Sequence, residues 1–479
     1  MKMLIGGKAV GASNGAEFDA VNPATHEVFD KVPSATQEDV DEAVANARLG
    51  FIEWAAVPLF ERINIFYKFV NIVEERLEEL AQLVCKESGK AITLCRMEAK
   101  AAANVFRCYA EKARNFGGDV LAVDSEVRVQ DDLLIVVREP LGVVGCIIPF
   151  NYSMELYAHK VAPALIVGNS AIIKPASDTP LGNILMTQWL LDAGVPSNAV
   201  QIVTGSGETT GKYLVQNPDI NMIVLTGSTA VGLETMKGCS EHLHHCQLEL
   251  GGNDPMIIFD DCDLDKAVQE SIDGRFMNAG QTCCAPKRMI VQNTIKGKYI
   301  EKLLERFKTV KVGDPTKEDT TYGSLVSEKA AQDLVKKLEH IVEQGAKIIC
   351  GGELFDRTFI NPTLIVDVTP DMDIAREMEV FGPIIPVIGF DTVEEAVSIA
   401  NNTPYGLQSC VFSNDIKKAF NVAKSLTCGG CVINGNGNYR CMHQPFGGYK
   451  MSGIGREGIL NTLEEFTQQK TIAFKSMFR

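Results

Sequence analysis

From Leu141 onwards, short apolar runs alternate with longer stretches in which apolar residues recur every three or four positions. Runs of the first kind are typical of buried strands, and the longer spacing is typical of helices. Strands that alternate with helices form a parallel sheet with helices on both faces, so the pattern predicts an α/β fold. The predicted strands are 143–148, 171–174, 200–203 and 222–226, and the predicted helices are about 155–167, 180–193, 208–216 and 229–237.

A second alternating region follows Glu249 and extends to about residue 445. Its predicted strands are near 256–259, 288–291 and 410–412, and its predicted helices are near 264–276, 300–307, 328–343 and 393–401. Before the first region, apolar stripes at helical spacing predict one long helix over 60–85, with Gly89 shortly past its end, and another over 97–116.

Two further segments have the alternating pattern of strands. Charged residues interleave with apolar ones over 127–138, which predicts a strand pair or hairpin that projects as an arm. The stretch 465–474 predicts a C-terminal strand that pairs with this arm or with another subunit.

Polar stretches follow three of the strands predicted in the first region. They cover 149–153, 174–178 and 226–232, and the last is a small-residue turn that opens a helix. Helix N-termini hold phosphates, and ligands of parallel sheets bind beyond the carboxyl ends of the strands. Each stretch alone is an ordinary loop, but the three together predict a nucleotide crevice. The G-x-G-x-x-G fingerprint is not present in this chain.

The composition and the net charge of the chain argue against several classes of protein. The chain has 479 residues, a length typical of several domains, and a formal net charge of −15, which argues against nucleic-acid and anionic membrane partners. Apolar runs of about 18 residues, which a membrane helix needs, do not occur. The N-terminus has no apolar core with a cleavage pattern, so no targeting segment is expected.

Cysteine usage points to a reducing compartment. The 14 cysteines show no disulfide-framework spacing, and Cys428-Gly-Gly-Cys431 is a C-x-x-C without a second pair. We therefore expect free thiols, no metal site and a cytoplasmic protein.

One thiol stands out by its context. Gly280-Gln-Thr-Cys283 is a small-residue turn that delivers a cysteine, and Glu249-Leu-Gly-Gly252 carries a carboxylate before paired glycines. We interpret Cys283 as a nucleophile and Glu249 as the base that later activates water. The alternative is that Cys283 and Cys284 pack as small apolar side chains.

Seven short motifs in chain order resemble those of the aldehyde dehydrogenase superfamily, in its non-phosphorylating, hydrolytic branch. They are Phe150-Asn151, Lys174-Pro175, Thr226-Gly-Ser-Thr229, Glu249-Leu-Gly-Gly252, Gly280-Gln-Thr-Cys283, Glu379-Val-Phe-Gly-Pro383 and Pro445-Phe-Gly-Gly448. The resemblance covers nearly the whole chain and extends to members that oxidise succinate semialdehyde or lactaldehyde.

The resemblance implies three structural parts and an oligomer. A Rossmann-like cofactor-binding domain would cover 1–120 and 141–249, and an α/β catalytic domain would cover 250–450. A bridging and oligomerisation arm would combine 121–140 with 465–479. Family members are homodimers or homotetramers, in which the arm extends a sheet of a neighbouring subunit.

The resemblance also assigns the catalytic roles. Cys283 would attack an aldehyde carbon, and the Asn151 amide with the Cys283 N–H would stabilise the oxyanion. Hydride transfer would leave a thioester, which Glu249 would help to hydrolyse. Lys160 matches a family lysine and would support these groups.

The cofactor residues follow from the same resemblance. Glu379 would hold the nicotinamide ribose with Phe381 beside the ring, and the turn around Gly227 and Ser228 would meet the pyrophosphate. Lys174 would reach the adenosine ribose. NAD-preferring members often carry a glutamate three residues after this lysine.

This chain departs from that pattern, because it has Ser177 where the glutamate would stand. A serine lacks the charge that would repel a 2′-phosphate, so we expect NADP or NAD as cofactor, with NADP favoured.

The substrate would be a small aldehyde. Arg440 lies six residues before Phe446, where family members place a residue that faces the substrate tunnel. A guanidinium pairs with carboxylate or sulfonate, so we expect an anionic tail, with His443 assisting. Succinic semialdehyde, a lactaldehyde-like hydroxyaldehyde and sulfolactaldehyde all fit. The alternatives are that Arg440 is a surface residue, that the enzyme acylates CoA, or that the protein is a catalytically silent binding or structural protein.

Overall fold

The computed structural model describes residues 1–478, and within them the strands form four sheets. The largest is an eight-stranded sheet whose five central strands run parallel, which confirms the predicted α/β class. In spatial order its strands are β19 (Gly453–Ile454), β11 (His245–Glu249), β10 (Met222–Thr226), β7 (Val143–Ile147), β8 (Ser170–Lys174), β9 (Val200–Ile202), β1 (Met3–Ile5) and β2 (Lys8–Val10).

Helices cover both faces of this sheet. They are α1 (Gln37–Ala55), α2 (Leu59–Glu75), α3 (Leu77–Ser88), α4 (Ile92–Ala113), α5 (Ser153–Ile166), α6 (Leu181–Ala193), α7 (Lys212–Gln216), α8 (Thr229–His242) and α15 (Ile459–Glu465). A single π-helical turn, Gly207–Gly211, leads into α7. Two cores form, because α2–α6 and α15 pack on one face of the sheet while α1, α7 and α8 pack on the other.

The prediction of one helix over 60–85 is wrong. The chain forms two helices that break at Arg76, whose φ of −109° and ψ of 23° are not helical. Apolar residues keep helical spacing on both sides of the break, so the pattern could not reveal a change at one position. The second helix ends as predicted, at Gly89 with a φ of 68°.

The second sheet has seven strands and its own core. In spatial order they are β14 (Lys347–Cys350), β15 (Thr363–Val368), β16 (Ile384–Phe390), β13 (Arg288–Gln292), β12 (Pro255–Ile258), β17 (Cys410–Phe412) and β18 (Val432–Ile433). Its helices are α9 (Leu264–Phe276), α10 (Asn293–Phe307), α11 (Glu328–Glu343), α12 (Asp373–Arg376), α13 (Val393–Asn401) and α14 (Ile416–Ser425).

The third sheet is the arm, whose strands in spatial order are β20 (Thr467–Phe474), β6 (Leu133–Pro140) and β5 (Asp119–Leu121). β20 pairs antiparallel with β6 along its whole length, from Thr467 opposite Pro140 to Phe474 opposite Leu133. The predicted pairing of the C-terminal strand with the arm is therefore confirmed. The predicted hairpin over 127–138 is wrong, because 127–132 forms turns before β6 begins.

A separate antiparallel hairpin joins β3 (Glu17–Val21) to β4 (Val28–Pro33). The boundaries of the three structural parts stay a prediction. One connection crosses them: β19 comes from the C-terminal part of the chain and pairs antiparallel with the end of β11, where Gly453 lies opposite Glu249.

Candidate active site

The three polar stretches that follow strands meet at one edge of the largest sheet. β10, β7 and β8 are consecutive neighbours and run parallel, so their carboxyl ends lie side by side. The stretches that begin at Pro149, Lys174 and Thr226 therefore form one crevice, as predicted.

The loop that carries Cys283 has an uncommon backbone. Asn278, Ala279 and Gly280 have φ values of 51°, 54° and 75°, in the left-handed region that costs non-glycine residues energy. A Cβ at Gly280 would overlap the carbonyl group of Gly382, so this position needs glycine. Gln281 fixes the loop through its side chain, which accepts from Val326 N–H at 3.0 Å and donates to Asn278 C=O at 3.1 Å.

Cys283 and Cys284 lie in the wall of a cavity of about 250 Å³. A hydrogen bond with Cys284, together with burial, raises the pKa of the Cys283 thiol well above its usual value, and nearby Lys287 opposes this rise. Lys287 also donates to the Cys283 carbonyl. The resting thiol is therefore protonated. The cation that opposes the rise, Lys287, follows Cys283 by four residues in the same loop.

Asn151 reaches the same loop from the end of β7. Its Nδ2 donates to Gln281 C=O at 3.0 Å, and Asn278 Nδ2 donates to Asn151 C=O at 3.0 Å. The amide is thus held against the turn that delivers Cys283, and it lines the cavity.

A buried carboxylate fixes the start of α5, the helix that follows Asn151. Glu98 Oε1 accepts from Met154 N–H at 2.8 Å and from Glu155 N–H at 3.2 Å, and Glu98 is ion-paired with Lys90. Two N–H groups that a helix start leaves free are satisfied in this way, so α5 is held firmly beside the cavity.

Glu249 ends β11 and is buried. Neither of its carboxylate oxygens has a hydrogen-bond partner among residues 1–478. Burial, together with the negative charge of Glu457, raises the pKa of Glu249 well above its usual value. Cys283 is close enough to add to this rise. The thiol and a protonated carboxyl group therefore lie in one electrostatic neighbourhood.

Glu457 links the two predicted cations of the site. It lies 3.1 Å from Lys160 Nζ and 2.9 Å from Arg440 Nη2, and Lys160 also donates to Thr226 Oγ1 at 2.6 Å. Although burial acts to raise it, the pKa of Glu457 is held at about 2 by Lys160, His159 and Arg440. Sequence reasoning missed this carboxylate, because it lies 297 positions after Lys160.

The residues predicted for the adenosine side surround the crevice. Lys174 is buried at the end of β8, and burial lowers its pKa to about 8 against the opposing charge of Asp178. Ser228 caps α8, where its hydroxyl accepts from Val231 N–H at 3.3 Å. Gly227 precedes it, and a Cβ there would approach only Leu225. A buried lysine without a hydrogen bond within the described chain, beside an open helix N-terminus, fits the ribose and pyrophosphate of a dinucleotide.

Ser177 lies in the wall of a neighbouring cavity of about 330 Å³. Lys329 also lines that cavity, together with the carboxylates of Asp19, Asp178 and Glu328.

Glu379 and Phe381 approach the catalytic loop from the other side. Glu379 Oε1 accepts from Gly252 N–H at 3.0 Å and lies 3.5 Å from Lys287 Nζ. The Phe381 ring lies 6.2 Å from the ring of Phe150, nearly edge-on. Both residues therefore lie close to the segments that hold Glu249 and Asn151, which fits a nicotinamide ribose and ring.

The predicted substrate residues differ in their placement. Arg440 lines the cavity of Cys283, ion-paired with Glu457 and stacked on the Phe446 ring at 3.9 Å from its centre. His443 is exposed and does not line this cavity, so its position does not support the expected contact with substrate.

Another histidine does line the cavity. His159 on α5 is among its walls, together with Glu155 one turn earlier. Glu155 follows Asn151 by four residues, and His159 follows Glu155 by four. Residues four apart lie on one face of a helix, so the sequence offered a signal that could have found this pair.

Comparison with known proteins decides the family. The model of the aldehyde dehydrogenase family matches residues 10–472. The chain belongs to the aldehyde dehydrogenase family. It is therefore an NAD(P)-dependent aldehyde dehydrogenase, as the motifs predicted.

Named relatives support this assignment over nearly the full length. The mitochondrial succinate-semialdehyde dehydrogenase of Arabidopsis thaliana is 35% identical over 478 residues, which is 99% of this chain and 89% of the relative. The NADP(+)-dependent succinate-semialdehyde dehydrogenase GabD of Escherichia coli K12 is 34% identical, with 98% of this chain and 96% of the relative covered.

Solved structures show the same aldehyde dehydrogenase fold. Betaine aldehyde dehydrogenase from Staphylococcus aureus in complex with NAD+ has a TM-score of 0.96 at 33% identity, with 99% of this chain and 95% of that chain covered. An NAD-dependent aldehyde dehydrogenase from Sinorhizobium meliloti also has a TM-score of 0.96, at 34% identity, with 100% and 95% covered. NAD or NADP is thus the cofactor of this aldehyde dehydrogenase.

Two further observations describe the chain as a whole. Among the described helices, none combines the length and apolar composition that a membrane crossing requires. Within residues 1–478, no group of three or more His, Cys, Asp or Glu side chains could hold a metal ion.

Proposed function

We propose that this aldehyde dehydrogenase oxidises an aldehyde with an anionic tail to the carboxylic acid, through covalent intermediates on Cys283. The observation that carries the proposal is the cavity itself, whose wall brings together the Cys283 thiol, the Asn151 amide and the Arg440 guanidinium. A nucleophile, an oxyanion donor and a cation for the tail are the groups that this reaction needs.

The first step is attack of the Cys283 sulfur on the aldehyde carbon. The attack forms a thiohemiacetal and places negative charge on the former carbonyl oxygen. Asn151 Nδ2, which Gln281 C=O orients at 3.0 Å, donates to that oxygen together with the Cys283 N–H. Loss of one such donor costs roughly 10²–10³ in rate.

The second half of the reaction releases the acid. The nicotinamide ring, when bound, accepts the hydride, and Cys283 then carries a thioester. Glu249 takes a proton from the water that hydrolyses this thioester. Its carboxylate has no hydrogen-bond partner among the described residues, so it is free to accept. Hydrolysis rather than transfer to CoA is favoured by the presence of this base.

Lys160 and Glu457 act as positioning residues in this scheme. Their ion pair lies close enough to Glu249 to set its pKa. Lys160 favours the carboxylate form of Glu249 and Glu457 disfavours it, so the pair balances the charge around the base.

The cofactor is held from both sides of the crevice. Glu379 binds the nicotinamide ribose and Phe381 lies beside the ring, while Gly227 and Ser228 bind the pyrophosphate at the start of α8. Lys174 and Ser177 bind the adenosine ribose.

We propose that NADP is used and favoured. Ser177 is uncharged and Lys329 offers a cation in the same cavity wall, whereas the carboxylates of Asp178 and Glu328 act against a 2′-phosphate. The ratio of kcat/KM for the two cofactors measures this balance. A preference for NAD of tenfold or more, which is about 1.4 kcal/mol, would overturn the NADP proposal.

The anionic tail is assigned from Arg440. One nitrogen of its guanidinium is held by Glu457, and the described residues offer its other N–H groups no further hydrogen bond. These donors suit a carboxylate or sulfonate. Succinic semialdehyde, a lactaldehyde-like hydroxyaldehyde and sulfolactaldehyde are the candidates, and the named succinate-semialdehyde dehydrogenases support the first.

The enzyme is proposed to be a homodimer or homotetramer in the cytoplasm. Strands β5 and β20 form the edges of the arm and expose the apolar side chains of Val120, Leu121, Ile472 and Phe474. An exposed apolar edge of this kind is suited to pairing with another subunit. The fourteen cysteines are all free, which suits a reducing compartment.

The deciding experiment compares two adjacent cysteines. Cys283→Ser is expected to lose at least about 10³ in kcat while the protein stays folded, because an alcohol replaces the thiol nucleophile. Cys284→Ser is the matched control and should keep most of the activity.

Iodoacetamide labelling followed by peptide mass spectrometry should show that turnover is lost in step with the modification of Cys283, whatever the order in which the other thiols react. Parent-level activity in Cys283→Ser would refute the proposed function. Acid release that requires CoA would refute the hydrolytic step alone.

A further inference from the structure

His159 is a buried polar side chain whose ring nitrogens lack a hydrogen bond within the described chain, although Glu155 lies 3.9 Å away. It is 1% exposed. An unpaired buried polar group lowers the stability of the fold, so proteins rarely keep one without a use. The proposed chemistry at Cys283 and Glu249 does not employ this imidazole.

The imidazole faces the place where substrate would bind. His159 lines the cavity that also contains Cys283, Asn151 and Arg440. It lies on α5, whose start is fixed by Glu98, so its position relative to Asn151 is set by a rigid helix. A group bound at Cys283 would therefore share its cavity with His159.

Glu155 is the ion-pair neighbour of His159 on the same helix. Its Oε1 lies 3.9 Å from His159 Nε2, one helical turn earlier, which is too far for a hydrogen bond but close enough to orient the ring. Burial acts to raise the pKa of Glu155, but His159 and Arg440 hold it below its usual range. Glu155 is therefore a carboxylate, and it too lines the cavity.

The walls around this pair are mainly apolar. They include Leu94, Met97, Leu156 and Met277. These side chains offer the imidazole no hydrogen bond, and the described residues give its ring nitrogens none, so the hydrogen bond is left for a molecule in the cavity.

We propose that His159, oriented by Glu155, hydrogen-bonds a hydroxyl group on the carbon chain of the substrate. The inference rests on the proposed function and deepens it. The favoured substrates then carry a hydroxyl group as well as the anionic end that Arg440 binds, as sulfolactaldehyde does and succinic semialdehyde does not.

The charges in the cavity favour a hydroxyl over other groups at this point. A second anion beside His159 would face the carboxylate of Glu155, and an ammonium group would face Arg440. An imidazole ring nitrogen can donate to a hydroxyl group or accept from it, because a hydroxyl offers both a donor and an acceptor. A site built to bond a hydroxyl discriminates strongly against a substrate that lacks it, because its own polar group is then left unpaired.

The test uses four aldehydes and measures kcat/KM for each. Propanal has neither group, lactaldehyde has the hydroxyl, succinic semialdehyde has the anion, and sulfolactaldehyde has both. The parent enzyme should prefer lactaldehyde to propanal by tenfold or more. His159→Phe should abolish this preference and should lower sulfolactaldehyde oxidation by tenfold or more, while propanal and succinic semialdehyde stay within threefold.

Two further variants separate recognition from packing. His159→Gln keeps a donor and an acceptor and should restore part of the hydroxyl preference, and Glu155→Gln should weaken it less than His159→Phe does. Leu156→Met changes the same wall without removing a polar atom, and it should leave the preference intact.

Loss of activity towards all four aldehydes in His159→Phe would overturn the inference, and so would a parent enzyme that does not distinguish lactaldehyde from propanal. The two proposals can fail separately. If the hydroxyl preference depends on His159 but the enzyme shows no preference for anionic aldehydes, this inference is supported and the proposal of an anionic substrate tail is refuted.

Discussion

Two buried carboxylates in one network are held in opposite protonation states. Burial raises the pKa of Glu249, whose oxygens lack partners among the described residues. Glu457 is equally buried, but two cations within 3.1 Å keep it ionised. The two pKa values differ because, within the described chain, Glu457 is ion-paired with cations and Glu249 is not, and not because the two side chains are buried to different extents. An ionised carboxylate is stable inside a protein only where opposite charge and hydrogen bonds surround it.

This contrast predicts the pH dependence of turnover. Glu249 acts as a base only when deprotonated, and its pKa is raised, so turnover limited by thioester hydrolysis should fall as the pH is lowered through that raised pKa. Glu457→Gln removes a negative charge and leaves Lys160 and Arg440 unneutralised, which lowers the pKa of Glu249. The rise of kcat with pH should then move to lower pH.

The measurement is the steady-state pH profile of kcat for both proteins. Glu249→Gln serves as the control and should be slow at all pH values. A profile that moved to higher pH in Glu457→Gln, or did not move, would contradict the coupling of the two carboxylates.

Arg440 allows a test of tail recognition. Arg440→Leu should raise KM for succinic semialdehyde by about 10- to 100-fold, because a charge-assisted hydrogen bond contributes about 1.5–3 kcal/mol. KM for a neutral aldehyde such as butanal should stay within about threefold, and Arg440→Lys should recover part of the loss. Equal effects on both aldehydes would show that the residue only supports Glu457.

At the scale of residues, local motifs singled out the groups that are proposed to act on the reacting atoms. Cys283, Glu249 and Asn151 each lie in a short recognisable stretch, and the structure brings them to one cavity region. Glu457 and His159 were not predicted. Glu457 belongs to the site because it contacts Lys160 and Arg440, and His159 because its ring nitrogens have no hydrogen bond among the described residues. No local sequence pattern indicates either feature.

At the scale of elements, the end of α3 shows how one position sets the path of the chain. Gly89 has a φ of 68°, and a Cβ there would overlap Ser324 Oγ and lie 3.0 Å from Pro23 Cγ. The helix end therefore has both a backbone and a packing reason for glycine.

A pair of substitutions separates the two reasons. Gly89→Ala should lower the free energy of unfolding by about 2–4 kcal/mol, because backbone strain and overpacking add. Gly15→Ala should cost only about 1 kcal/mol, since Gly15 has a φ of 73° but nothing within 4 Å of the added Cβ. Urea unfolding of both variants measures the difference, and equal losses would remove the packing contribution.

Elements with clear periodicity were predicted and irregular ones were not. Strand β16 was missed because Pro386 interrupts its apolar run, and proline argues against a central strand. In the structure Pro386 lies opposite Ile365, where the register with β15 becomes irregular, so the ladder accommodates it.

At the scale of the whole molecule, the arm is the segment through which assembly is proposed. Truncation after Phe466 removes β20 and leaves one side of β6 unpaired. This variant should lose the native oligomer, which light scattering after size-exclusion chromatography would show as a smaller mass. Truncation after Ser476 keeps β20 and is the matched control.

Unchanged mass in both truncated proteins would mean that the arm does not hold the assembly.

The α/β class and the pairing of the C-terminal strand with the arm were predictable from periodicity. The partner of β19 was not, because two residues carry no periodic signal.

β19 also bears on how the enzyme is made. Gly453 lies opposite Glu249, yet more than 200 residues separate them, and the complete second sheet is synthesised in between. Until Gly453 has been synthesised, the strand that ends in Glu249 keeps one edge unpaired at that end, and such an edge is open to pairing with other strands.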